Sequence, residues 1–122
     1  PYQSRDVIPS IINNSDCHFI SVNEKMHSYG FPSKVYTIMA CKKPLIVISA
    51  IESPLSNFLK NKGCAEIIDF ENKNENFTKA LVKIYTNAKL RSNMGEIAFD
   101  NIINNFTKEI IVKKYTKLFD GL

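Results

Sequence analysis

Short apolar runs alternate with helix-period segments along this chain, and no other feature restricts its fold as tightly. Residues 17–22, 44–49 and 65–70 have strand length and strand composition, and each is followed by room for a helix. Such alternation builds βαβ units, in which consecutive strands lie parallel and the connecting helices cover the sheet. A chain of 122 residues supports one domain with a modest core, or part of a larger one. The expected class is α/β, with three parallel strands and flanking helices.

The helices are read from their punctuation and spacing. Residues 6–14 predict a short helix with Val7, Ile8, Ile11 and Ile12 inward, Pro9 tolerated in its first turn, and Asp16 ending it. Residues 23–30 follow the first strand as a polar loop. Ser53 as N-cap, Pro54 at the first position and Gly63 as stop bracket a helix whose apolar stripe is Leu55, Phe58 and Leu59. An acidic, Asn-rich loop is expected over 71–75. Phe77, Leu81, Ile84, Tyr85 and Ala88 then recur at helical intervals. Helix continues through Ile97, Ala98, Ile102 and Phe106, with a break expected near Ser92 to Gly95. A terminal helix over 107–119 carries Ile111, Val112, Tyr115, Leu118 and Phe119 on one face.

Chemistry is concentrated in Gly30-Phe31-Pro32-Ser33-Lys34, a turn that runs into a helix and then into the second strand. Ser33 is the expected N-cap, its hydroxyl accepting from a backbone N–H one turn on. Unpaired amides at a helix start attract anions, so a nucleotide or sugar phosphate is the first ligand to consider. At about 100° per residue, Ser33, Lys34, Thr37 and Cys41 share one stripe, while Val35, Ile38 and Met39 share another. One face can therefore pack on the sheet while the other faces a cleft. An ordinary amphipathic helix with a solvated lysine has the same pattern. Open parallel sheets bind ligands beyond the carboxyl ends of their strands, where residues 23–34 and 50–53 are expected.

Composition removes several classes of function. The net charge of +4 is mild and the lysines are dispersed, which is not the dense basic stripe of a nucleic-acid binder. No apolar run approaches the roughly 18 residues of a membrane span. Cys17, Cys41 and Cys64 are widely spaced, without metal-ligand spacing, and read as reduced core residues. Neither His18 nor His27 clusters with them; His18 is expected to pack within the sheet. Lys113, Lys114 and Lys117 mark the exposed side of the terminal helix. The opening at Pro1-Tyr2, without an initiator methionine, suggests a piece of a longer protein.

With Gly30-Phe31-Pro32-Ser33-Lys34, then Ile38-Met39-Ala40-Cys41-Lys42-Lys43-Pro44-Leu45-Ile46-Val47, the chain resembles the donor-binding domain of retaining GT-B glycosyltransferases. The closest likeness is to the large family four, which includes bacterial O-antigen, capsule and lipopolysaccharide enzymes. That family carries a glycine-rich turn, a helix ending in Met-Ala-x-Gly-x-Pro-Val and a strand, and a subset has Pro-Ser-Lys at the helix start. The likeness extends to residues 8–17 and to Leu90-Arg91-Ser92-Asn93-Met94-Gly95-Glu96-Ile97-Ala98 followed by Phe106-Thr107.

The resemblance implies a partial Rossmann-like α/β domain. Residues 1–122 would be the last two-thirds of a donor domain, without the acceptor domain or the first strand and glycine turn. It implies transfer of a sugar from a nucleotide diphosphate-sugar, a UDP-sugar first, to a glycan or lipid-linked acceptor with retention at the anomeric carbon. Neither a cofactor nor a metal is implied, and the setting would be cytoplasmic, extending to the inner face of the membrane.

By match, Gly30, Phe31, Pro32 and Ser33 would hold the diphosphate and sugar, with Lys34 near their oxygens. The family usually has a ribose-gripping Glu where this chain has Thr37, which cannot make a carboxylate's bidentate contact. A second family Glu has no clean counterpart; Glu24 is nearest in type, and His27 or Ser28 are alternatives for that space. Catalytic residues are not assigned by the match. A nucleotide-sugar epimerase of the same fold and a non-enzymatic interaction module are the competing readings. The absent first strand would pair beside residues 17–22, leaving an edge open to self-association.

Overall fold

The computed structural model describes residues 3–26 and 29–121. A 3₁₀ turn at Arg5–Val7 leads into α1 (Ile8–Asn13) and β1 (His18–Ser21), followed by a second 3₁₀ turn at Glu24–Met26. The chain continues through α2 (Lys34–Ala40), β2 (Leu45–Ile48), α3 (Pro54–Leu59) and β3 (Ala65–Ile68). It closes with α4 (Lys73–Thr86), α5 (Ala88–Asn105) and α6 (Lys108–Asp120). The strands form one parallel sheet in the order β1-β2-β3, with His18 opposite Leu45 and Leu45 opposite Ala65. The mixed α/β architecture expected from the alternation is the architecture observed.

Burial explains why β2 is central. All four of its residues are buried, as a strand covered on both faces requires. Leu45 and Val47 pack with Val35, Ile38 and Met39 of α2 and with Leu55 and Leu59 of α3. Ile46 and Ile48 pack on the other face with Ala80 and Ile84 of α4. The predicted inward stripe of α2 is thus the buried one, while Ser33, Lys34 and Thr37 are exposed.

Helix α5 joins the two layers. Met94 belongs to the α4 side, whereas Ala98 reaches the α2–α3 side. It crosses the turns that precede all three strands: Arg91 lies 4.0 Å from Asp16, Glu96 pairs with Lys42 at 2.9 Å, and Ile97 approaches Gly63. The amino ends of the strands are therefore covered by one continuous helix. The carboxyl ends are left for the loops.

Several boundaries differ from expectation. No break occurs near Ser92 to Gly95; the interruption lies at Asn87, whose side chain caps α5 by accepting from the Leu90 N–H. Gly95 is in the helix because α5 touches the α2–β2 turn there, with no room for a side chain. α3 ends at Leu59, ahead of Gly63, since Asn61 already takes a left-handed conformation at φ 64°. α4 begins at Lys73, inside the stretch expected to be loop, after a left-handed Asn72.

Val7 and Ile11, expected inward, are exposed, and only Ile12 of α1 is buried. Leu81 and Tyr85 of α4 and, of the apolar stripe of α6, Val112, Tyr115, Leu118 and Phe119 are likewise on the surface, while Ile111 is half-buried. All three cysteines are free: Cys64 is buried, and Cys17 and Cys41 are half-buried. Burial pushes the Cys64 thiol up from its ordinary pKa, and burial with the nearby Asp16 carboxylate does the same for Cys17.

Candidate functional site

Two grooves flank the exposed edge of β1 and meet at Ser33 and Lys34. The larger, about 490 Å³, lies between α1 and α2. Its apolar lining is Ile8, Ile11, Ile12 and Ile38, and its polar lining is Gln3, His18, Ser33, Lys34 and Thr37. The smaller, about 420 Å³, is bounded by Phe19, Ile20 and Ser21 of the strand and by Pro32, Ser33 and Lys34 of the turn.

The strand wall of these grooves is chemically open. In a parallel ladder the N–H and C=O of one residue face one neighbour and those of the next face the other way. His18 and Val22 donate to Pro44 and Ile48 across β2. Phe19 and Ser21 therefore turn their backbone groups outward, where among the described residues no further strand lies in the sheet.

At the turn, the expected cap is not made. Ser33 is itself helical, at φ −59° and ψ −22°, and its hydroxyl accepts no backbone N–H. Two first-turn amides are already engaged, because Val35 donates to the Pro32 carbonyl and Tyr36 to that of Ser33, each at 3.1 Å. A residue with helical ψ cannot swing its side chain back over the first turn, and the tightened 3₁₀-type bonds take the cap's place. Among the described residues, the N–H groups of Ser33 and Lys34 have no hydrogen-bond partner, and Lys34 forms no ion pair. The donor set is smaller than the sequence predicts: two amides and one exposed ammonium.

The turn is held from behind. Phe31 packs its ring against Tyr36 at 5.5 Å and Phe58 at 5.3 Å, and Phe106 completes the cluster at 5.2 Å from Tyr36. Phe31 is thus an anchor rather than a wall of either groove, and Gly30 is half-buried beside it. Ser33 and Lys34 line both grooves, Pro32 only the smaller and Thr37 only the larger. Glu24 is exposed on its own 3₁₀ turn and lines neither groove. The alternatives for that space, His27 and Ser28, lie outside the described residues.

The second loop expected at the carboxyl end, residues 50–53, also lines neither groove. Its hydroxyls are used internally, since buried Ser49, Ser53 and Ser56 form a chain with Oγ–Oγ distances of 2.7 and 3.1 Å. Ser53 also accepts from the Ser56 N–H at 3.1 Å, which makes it the predicted cap of α3. These hydroxyls tie β2 to α3.

His18, expected to pack within the sheet, is half-buried on β1 and also lines the larger groove, a position not assigned to it from the sequence. Its Nε2 is 2.6 Å from the Ser15 hydroxyl and 3.3 Å from the Ile12 carbonyl. A lone histidine in an apolar run carries no pattern that would have singled it out. No family model, curated protein or solved structure matches the chain.

Proposed function

We propose that this chain is the donor-binding portion of a retaining glycosyltransferase, holding the diphosphate of a nucleotide diphosphate-sugar at the Ser33–Lys34 turn. The single observation that carries the reading is a pair of grooves converging, on the edge of a parallel sheet, on two amides and a lysine that have no hydrogen-bond or ion-pair partner among the described residues. Ser33 and Lys34 would donate to phosphate oxygens, and Thr37 would lie beside the donor in the larger groove. During transfer the bond between the anomeric carbon and the diphosphate breaks, and a bond to an acceptor hydroxyl forms. Negative charge grows on the leaving diphosphate, so fixed N–H dipoles and the Lys34 ammonium act where that charge develops. The acceptor would be a glycan or lipid-linked hydroxyl presented by groups outside this chain.

Nuclear magnetic resonance titration with UDP-glucose tests this directly. Weak binding is expected, with the largest amide shifts at Ser33 and Lys34, and Lys34→Glu is expected to weaken it by roughly tenfold or more. Shifts scattered elsewhere, or an unaffected Lys34→Glu variant, would exclude the reading. Conversion of the UDP-sugar without an acceptor would point to an epimerase instead.

The interaction-module reading is favoured by a separate observation. Beside the open β1 edge stand exposed Ile11 on one side and Phe19, 51% exposed, on the other. The strand carries no lysine or proline of the kind that guards an edge. Self-association through β1 is therefore expected at high concentration. Ser21→Pro removes an outward N–H and leaves the β2 pairing intact, so it should yield a monomer in sedimentation equilibrium. Unchanged association in that variant would place the contact elsewhere.

A further inference from the structure

Helix α6 contributes no buried residue. Its sequence is amphipathic, yet Val112, Tyr115, Leu118 and Phe119 are 54%, 59%, 61% and 66% exposed. Only Ile110 and Ile111, half-buried, fasten it to the body, together with Lys114, whose Nζ reaches the Asn105 carbonyl at 3.3 Å. A helix with this stripe turned outward has not found its partner within the described residues.

The charges say what kind of surface would cover it. Lys108, Lys113, Lys114 and Lys117 outnumber Glu109 and Asp120, and none of the four lysines forms an ion pair among the described residues. Lys114 lies at the margin of the stripe, while Lys113 and Lys117 stand on the polar side. That arrangement suits a continuous negative field better than a seam of matched pairs, in which charges line the flanks. Thirteen residues span about 20 Å, long enough to lie flat in a headgroup layer. Tyr115 and Phe119 are aromatic anchors of the type found at that depth. Among the described residues no helix is long and apolar enough to cross a membrane, so contact of this kind is at the surface.

We propose that the outward face of α6 docks on an anionic lipid bilayer, with Val112, Tyr115, Leu118 and Phe119 entering the interface and Lys108 and Lys114, which fall on and beside that stripe at about 100° per residue, meeting its negative charge. The proposal is independent of the sugar-donor reading, since α6 lines neither groove.

Co-sedimentation of the chain with phosphatidylcholine vesicles, with and without phosphatidylglycerol, is the test. Binding is expected to the anionic vesicles and to fall steeply near 1 M salt, where the screening length is about 3 Å. One lysine near an anionic surface raises partitioning roughly fivefold. K108E/K114E, at the lysines on and beside the stripe, should therefore lower binding by roughly twenty-five-fold or more. L118D/F119D changes exposed residues only and should abolish binding with the circular dichroism spectrum retained. Equal binding to neutral vesicles, or no binding to either, would overturn the proposal. So would a concentration-dependent dimer that L118D/F119D dissociates, because a second copy would then be what covers the stripe.

Discussion

Gly95→Ala is expected to destabilise the fold by about 3 kcal/mol, read as a lower midpoint of urea unfolding at unchanged slope. A methyl group on Gly95 would stand 2.2 Å from the Lys42 carbonyl oxygen and 2.9 Å from its carbon. Both are backbone atoms, so no side chain can rotate away to make room. The turn itself is constrained, because Lys42 sits left-handed at φ 56° and closes α2 with Lys43 donating to the Ile38 carbonyl. Relief would require α5 to lift from the amino ends of the strands, opening both core layers. Gly121→Ala is the control, since its methyl would meet nothing nearer than 3.5 Å. Equal effects of the two substitutions would show that the close approach of α5 to Lys42 does not govern stability.

Phe58→Ala is expected to remove about 2–3 kcal/mol and to loosen the candidate site at the same time. Its ring touches Phe31, Tyr36 and Phe106 at 5.3, 5.7 and 5.5 Å, joining α3, α2, the end of α5 and the Gly30–Lys34 turn. Lys62 also stacks over it at 4.9 Å. Because Phe58 is only half-buried, part of the vacated space is open to water and the cost stays below that of a fully buried ring. Hydrogen exchange should show faster opening of the bonded Val35 and Tyr36 amides than in the parent chain. Phe58→Leu should recover much of the stability without restoring ring stacking, which separates loss of apolar volume from loss of aromatic geometry. Unchanged exchange at Val35 and Tyr36 in Phe58→Ala would mean that the turn is held by its own backbone bonds.

Parts of the site were readable in the chain for local reasons. Pro32, Ser33, Lys34 and Thr37 converge because a turn followed by a helix start places consecutive residues together, which no distant contact can undo. The cap at Ser53 was equally legible, its hydroxyl, Pro54 and a three-residue reach being sufficient. Ser33 looked the same in one dimension and behaves differently, because its ψ of −22° is set by how the turn leaves β1 and how Phe31 is anchored. Glu24 was chosen by type alone, and a side chain's type does not bring it to a groove.

Periodicity and punctuation in the sequence determined the class of fold, the three strand positions, the buried stripe of α2 and the cap of α3, because each depends on residues a few positions apart. Tertiary structure alone decided which helical apolar residues found cover, as exposed Ile11, Tyr85 and Phe119 show against buried Ile12, Ile84 and Ile38. It also decided that Gly95 stays helical. Those outcomes rest on which elements reach one another across the sheet, and spacing along a chain carries no measure of that distance.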